Sequence, residues 1–340
     1  MNAKNLRFSS GTTSFYFGDK FSRLKQLADR RNSVIVTDEH VFDAHKEKFR
    51  SWNTIVLKPG ESFKVQQTAD AVIDQLIAFE ADRNTTLIGV GGGVVTDITG
   101  YVASVYMRGI PFGFIPSTVL AMVDASIGGK NGVDVGVYKN MVGTIRQPGF
   151  ILYDYSILSS LPQQEWRNGF AEIIKHAAIR DSRMFRELES NSIDEYQGNK
   201  RLLGALVQRN ALLKAQIVKK DEFEKAERKL LNFGHTLGHA LENIYELSHG
   251  EAISIGMTYA AQVSAQLNGF TGAARLVALL EQYGLPTFAA FNTKKVFSVM
   301  RMDKKKQQKD ISFISLHRIG KGEVRVLKLR QLEQLISQLQ

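Results

Sequence analysis

The sequence predicts two domains, an α/β domain built on a parallel sheet followed by a mainly α-helical domain. Short β-rich apolar runs alternate with stretches of helical periodicity over the first 160 residues, the arrangement of strands joined by crossover helices. After Leu161-Pro162 the character changes, and helix follows helix to about Gly284 with hardly a β-rich run. Glycines cluster where a strand of the first half passes into a helix. The domains are therefore expected at 1–161 and 162–340, with Pro162 suited to a helix start.

Residues 33–36, 53–57, 86–90, 112–116 and 150–154 read as strands. Residues 65–79 read as a helix, because Ala69, Val72, Ile73, Leu76 and Ile77 follow a 3.6-residue period. The segment from Leu87 to Asp97 runs from an apolar strand through Gly91, Gly92 and Gly93 into a helix continuing past Ile98 and Val102. Glycines at such a turn let backbone amides approach a phosphate, and the helix N-terminus adds a partial positive charge. A tight turn needing glycine for its backbone alone is an equal reading, since three consecutive glycines do not match the G-x-G-x-x-G spacing. Asp97, in the first helical turn, is placed to cap the helix or to meet a ribose hydroxyl. A second glycine turn, from Asp124 to Gly132, carries Lys130, and an ammonium buried there would call for a bound anion. The C-terminal stretch predicts a hairpin, 311–316 with 323–327, and an amphipathic helix at 329–339.

Composition narrows the chemistry. The 340 residues are 44% hydrophobic, enough for one large core or two modest ones. The net charge of +10, from 44 Lys+Arg against 34 Asp+Glu, admits an anionic partner. Lys130, Lys139, Lys175 and Lys214 stand singly among apolar residues and glycines rather than in a stripe, which favours a small anion over nucleic acid. The run Lys304, Lys305, Lys306 and Lys309 reads as a solvated face. With 0 Cys, any metal must be held by His, Asp and Glu. No apolar run approaches the roughly 20 residues that span a bilayer, and the polar N-terminus lacks a signal-peptide core, so a cytoplasmic protein is expected.

Four of the 7 histidines fall in three segments of the helical half: Glu172 to His176, Asn232 to Ala240, and Ser248 to Ala252. His235 and His239 are four apart and share a helix face, so both are candidate ligands of zinc. Position 236 is Thr rather than Glu, which excludes the H-E-x-x-H metalloprotease motif. Three N and O ligands with an open position suit a catalytic zinc or cobalt ion.

Taken together, Gly91-Gly-Gly-Val-Val-x-Asp97, Tyr106-Met-Arg108-Gly-Ile-Pro111, Asp124-x-Ser-x-Gly-Gly-Lys130, Lys139-Asn140, Ala171-Glu172-x-Ile-Lys175, Asn232-x-Gly-His235-Thr-x-Gly-His239-Ala and His249-Gly-Glu-Ala resemble the 3-dehydroquinate synthase family, in its order and over most of the chain. The resemblance implies a Rossmann-like first domain and a metal held by Glu172, His235 and His249, with His239 in the substrate pocket. It implies NAD contacts from Asp38, Glu61, Lys64, Gly92, Gly93, Asp97, Ser117, Thr118, Lys130, Lys139, Leu158, Ser159 and Ser160. Substrate binding and catalysis fall to Arg108, Asp124, Lys130, Asn140, Lys175, Lys214, Arg228, Asn232, His239 and Lys305. The implied reaction turns 3-deoxy-D-arabino-heptulosonate 7-phosphate into 3-dehydroquinate and phosphate. NAD oxidises a substrate alcohol transiently, phosphate is eliminated, hydride returns and an intramolecular aldol step closes the ring, so the enzyme is a lyase of the shikimate pathway. A homodimer is also implied.

Thr96, Ser117, Asn131 and the stretch from Asp134 to Tyr138 depart from the family pattern, beside the site rather than at its catalytic positions. A metal-dependent polyol dehydrogenase would carry Asp in the first ligand position and lack the lysines. A sister sugar-phosphate cyclase acts on a substrate without a carboxylate, the end of the substrate assigned to Arg228 and Asn232.

Overall fold

A computed structural model describes residues 3–136, 138–302 and 310–339, and the chain divides into two compact units. The first comprises 1–166 together with 200–223; the second comprises 167–199 and 224–340.

The first unit is built on a seven-stranded sheet. Its strands are β1 (Lys4–Phe8), β2 (Gly11–Phe17), β3 (Ser33–Asp38), β4 (Asn53–Leu57), β5 (Thr86–Gly91) and β6 (Phe112–Pro116), and, after the antiparallel hairpin of β7 (Lys130–Val135) and β8 (Tyr138–Ile145), β9 (Phe150–Tyr153). The order across the sheet is β1-β2-β9-β6-β5-β3-β4, and each neighbouring pair is parallel except β1 with β2. All residues of β6 and β9 are buried, as are the first five of β3 and the last five of β5. Central strands covered on both faces read as continuous apolar runs rather than alternating ones. This is why the sequence discloses them. Strands β1 and β2 and the hairpin β7–β8 were not predicted; β1 and β8 are mostly exposed, and the apolar residues of β8, Tyr138, Met141, Val142 and Ile145, do not alternate with polar ones.

The chain runs from β3 outward to β4 and then back to β5 on the other side of β3. That reversal opens a crevice at the carboxyl ends of β3 and β5, the place where doubly wound sheets bind nucleotides. The predicted helix at 65–79 is found at Gln66–Ala78, with Ala69, Val72 and Leu76 buried. The helix Lys200–Lys220 belongs to this first unit, although it follows the boundary expected at 161/162. Its Lys214 is tied to Asp124 of the same unit.

The second unit is mainly helical. Its longest complete helix is His249–Asn268, and the hairpin of β10 (Asp310–Arg318) and β11 (Lys321–Lys328) lies against it, with Leu316 N donating to Ser264 Oγ at 2.9 Å. The helix Leu329–Ser337 closes the chain, as its periodicity predicts. No helix among the described residues is long and apolar enough to cross a membrane.

Candidate active site

In the first unit the expected cofactor residues gather at the carboxyl ends of the central strands. Thr37 of β3 lies opposite Val90 of β5 and donates its hydroxyl to the Val90 carbonyl at 2.7 Å, so Asp38 and the glycine turn emerge side by side. Gly91, Gly92 and Gly93 all lie outside the positive-φ region, so the turn does not need glycine for its backbone. Space decides it: a Cβ on Gly91 would lie 2.4 Å from Val95, and one on Gly92 would lie 3.1 Å from Thr118. Gly92 caps the helix Gly93–Val105 with no side-chain bond, which leaves first-turn amides for an anion. Ser117 donates its amide to Gly91 O at 2.9 Å, bringing Ser117 and Thr118 to the same turn.

Asp97 is not a helix cap. Its carboxylate meets the buried Lys64 ammonium at 2.5 Å, and Lys64 also donates to Asn140 Oδ1 at 2.7 Å and lies 3.8 Å from Glu61. Burial pushes the Asp97 carboxyl up to about 6, with Lys64 pulling against it. Asp38 sits at the N-terminus of the helix Glu39–Ala44, accepting from Val41 N at 3.0 Å. Leu158, Ser159 and Ser160 lie on the turn after β9, where the His45 ring is 2.9 Å from Ser160 Oγ.

The departures from the family pattern have local partners. Thr96 donates its hydroxyl to Gly93 O at 2.9 Å, within the first helical turn. Asn131 ties the second glycine turn together, its Nδ2 donating to Gly129 O at 2.8 Å and Arg146 O at 3.0 Å. Gly100 makes room for it, since a Cβ there would lie 2.0 Å from Asn131 Oδ1. Asp134 Oδ1 accepts the amide of Asn140 at 2.6 Å and so holds that residue in a left-handed conformation, φ +54°.

Lys130 is exposed at the start of β7, so burial does not argue for an anion there. Lys175 and Lys214 are buried, but each is neutralised by a carboxylate, Lys175 by Glu172 and Lys214 by Asp124 at 2.7 Å. Lys139 is half-buried, while Arg108 is exposed with a left-handed backbone, φ +66°. Lys305 lies outside the described residues.

The second unit brings the metal-type donors together. Glu172 and Lys175 stand on the helix Gln163–Arg180, His235 and His239 on His235–Ile244, and His249 at the start of His249–Asn268. Gly238 and Gly256 let the last two helices touch backbone to backbone: a Cβ on Gly256 would lie 2.0 Å from Gly234 O, and one on Gly238 would lie 2.9 Å from Ala252 O. Glu172 Oε1 lies 3.4 Å from His235 Nε2 and 3.0 Å from His249 Nε2. A tetrahedral zinc with bonds of about 2.0 Å separates its ligands by about 3.3 Å, so these three atoms already stand at ligand spacing. Burial would raise the Glu172 carboxyl, but Lys175 and the two imidazoles hold it well below the usual carboxylate range. Burial and the Lys175 charge lower His235, which favours the neutral ring a metal requires. His239 is exposed, one turn after His235, with the ring centroids 4.9 Å apart.

The family model described as 3-dehydroquinate synthase N-terminal matches residues 54–168, and the one described as 3-dehydroquinate synthase C-terminal matches 169–306. The 3-dehydroquinate synthase of Coxiella burnetii is 37% identical over 338 residues, covering 94% of each chain. The chain belongs to the 3-dehydroquinate synthase family. Similar family members include those of Thermodesulfovibrio yellowstonii, 40% identical over 88% of this chain and 85% of the other, and Pyrococcus abyssi, 38% identical over 84% and 85%. Among solved structures, a 2-epi-5-epi-valiolone synthase from Streptomyces hygroscopicus with NAD+ and Zn2+ bound superposes with a TM-score of 0.86 at 25% identity, over 99% of this chain and 97% of that one. A probable glycerol dehydrogenase from Sinorhizobium meliloti shares the fold at TM-score 0.67 and 13% identity, covering 96% and 95%. Both competing readings of the sequence are thus fold neighbours, and the sequence matches set the synthase family apart from them.

Sequence reasoning missed two carboxylates beside the expected site of this family member. Glu224 accepts from Asn232 Nδ2 at 2.5 Å and has a left-handed backbone, φ +57°. Glu242 lies 3.5 Å from His249 Nδ1, seven residues after His235 and three after His239 on one helix face. That spacing is visible in the sequence as Glu242 continuing the face that carries His235 and His239. Arg228 is buried in the turn Glu227–Asn232.

Proposed function

We propose that the chain is a 3-dehydroquinate synthase, a lyase that converts 3-deoxy-D-arabino-heptulosonate 7-phosphate to 3-dehydroquinate and phosphate with recycled NAD and a divalent metal, zinc or cobalt. The observation that carries the reading is the convergence of Glu172, His235 and His249 in a chain matching the family over nearly its whole length. The donor set, one carboxylate and two imidazoles, fits such a metal. When bound, the metal acidifies a substrate hydroxyl and NAD takes up and then returns a hydride.

The chain's own residues bind, orient and move protons. Asp38, Glu61, Lys64, Asp97, Ser117, Thr118, Lys130, Lys139 and Leu158–Ser160 would hold NAD, with the helix N-terminus at Gly92 and Gly93, which has no side-chain cap, offering its amides to the pyrophosphate. Arg228 and Asn232 hold the carboxylate end of the substrate. Arg108, Asp124, Lys130, Asn140, Lys175, Lys214 and Lys305 complete its binding. His239, exposed beside the ligand pair, carries protons in the elimination and ring-closing steps. Homodimerisation and a cytoplasmic location belong to the same reading; light scattering giving twice the 38.0 kDa chain mass supports the dimer.

The test is product identity. Purified protein, the heptulosonate phosphate, NAD and zinc or cobalt are expected to give phosphate and dehydroquinate in equal amounts with no net NADH. Phosphate without dehydroquinate would place the chain with the sister cyclases. NADH accumulating on polyols instead would make it a dehydrogenase.

A further inference from the structure

We infer that Glu242 is a positioning residue for His249, holding the Nδ1 proton of that ring so that Nε2 faces the metal. The inference rests on the proposed metal site of Glu172, His235 and His249. The His249 ring stands between two carboxylates, with Nε2 3.0 Å from Glu172 Oε1 and Nδ1 3.5 Å from Glu242 Oε2. A neutral imidazole has one N–H and one lone pair, so it donates to one carboxylate and keeps the other nitrogen for a metal.

His235 shows which way round the pair is arranged. Its Nδ1 lies 3.2 Å from the Phe233 carbonyl, which only accepts, so Nδ1 carries the proton and Nε2 is left facing Glu172. Both rings are thereby turned through Nδ1, His235 by a backbone carbonyl and His249 by a carboxylate. His249 needs such a partner, because its side chain is 31% exposed at the very start of its helix and packing alone does not fix the ring. Glu242 is 12% exposed and arrives on the helix that also carries His235, so one rigid element presents one ligand and orients the other.

A second donor set, His239, Glu242 and His249, also lies within ligand distance. It would take His249 through Nδ1 and exclude the first set. The Glu172 set is favoured because Glu172 is 1% exposed and His235 12%, whereas His239 is exposed.

The experiment is zinc competition against a chromophoric chelator, together with the visible spectrum of the cobalt form, on the full chain and its variants. Glu242→Ala is expected to weaken zinc by about 10–100-fold and shift the cobalt bands, the size typical for loss of a ligand's hydrogen-bond partner. Glu242→Gln still accepts the Nδ1 proton and is expected to restore part of that loss. Wild-type affinity and spectrum in both variants would overturn the inference while leaving the metal site standing. If Glu172→Ala binds zinc normally and Glu242→Ala not at all, Glu242 is itself a ligand and both readings fall.

Discussion

Lys64 has three oxygen-bearing neighbours around its buried ammonium: Asp97 at 2.5 Å, Asn140 at 2.7 Å and Glu61 at 3.8 Å. Burial opposes its charge, yet Asp97 and Glu61 raise the group above its ordinary value. Asp97 moves up to about 6, because burial costs its carboxylate more than Lys64 returns. An unfolded Asp titrates near 3.9, so between about pH 4 and 6 the native state binds the extra proton, and stability falls as pH rises through that window before levelling off. Asp97→Asn removes the effect. Melting curves of the two proteins from pH 4 to 7 are expected to show wild type losing ground to the variant up to about pH 6; a constant difference across the range would contradict the assignment. Lys175 poses the opposite case, a buried cation beside a buried carboxylate that holds the metal in this account. Lys175→Ala removes the first of the groups that stabilise the Glu172 carboxylate and leaves it to the two imidazoles, and breaking a buried pair costs up to about 3–5 kcal/mol, so a clear fall in melting temperature of the metal-free protein is expected. A melt within one degree of wild type would show the pair to be dispensable. At this scale the three metal-type residues singled out in the sequence, Glu172, His235 and His249, bring their donor atoms within 4.8 Å of one another. The burial on which the anion argument for Lys130 was conditional is not found, since its side chain stands exposed at the start of a strand.

Among the elements, the pair His235–Ile244 and His249–Asn268 decides whether the two imidazoles meet. Gly256 is the closest approach, and a methyl group there would press on the Gly234 carbonyl from 2.0 Å. Overpacking against backbone costs about 1–3 kcal/mol, and the helices must part to relieve it. Gly256→Ala is therefore expected to weaken zinc binding and lower the melting temperature together; unchanged zinc affinity would mean that the approach does not set ligand spacing. The parallel strands were legible because burial on both faces writes them as apolar runs, β6 and β9 most plainly. The hairpin β7–β8 was not legible, because β8 is mostly exposed and its apolar residues, Tyr138, Met141, Val142 and Ile145, do not fall on alternate positions. The departures at Asn131 and Asp134 fall on that hairpin, and each supplies a hydrogen bond that shapes it.

For the whole molecule, the instructive element is Lys200–Lys220. Its buried face, Leu203, Leu206, Val207, Ala211 and Ala215, shows helical spacing in the sequence, but amphipathicity says only that a face is covered and not by what. The helix returns to the first unit, where Lys214 bonds Asp124 through both its carboxylate and its carbonyl at 2.7 Å. A fragment of residues 1–166 is accordingly expected to melt without cooperativity, and to regain a cooperative transition when 200–223 is joined to it. Cooperative melting of 1–166 alone would show the helix to be an accessory.

The proposed function stands or falls with Glu172, His235 and His249 as holders of the metal on which dehydroquinate formation depends. Its most direct test is to strip the protein of metal, titrate zinc back and follow dehydroquinate formation from the heptulosonate phosphate in the presence of NAD. Activity is expected to rise in proportion to zinc up to one ion per chain, with His235→Ala and His249→Ala inactive throughout. Full activity in the stripped protein, or in either variant, would contradict it.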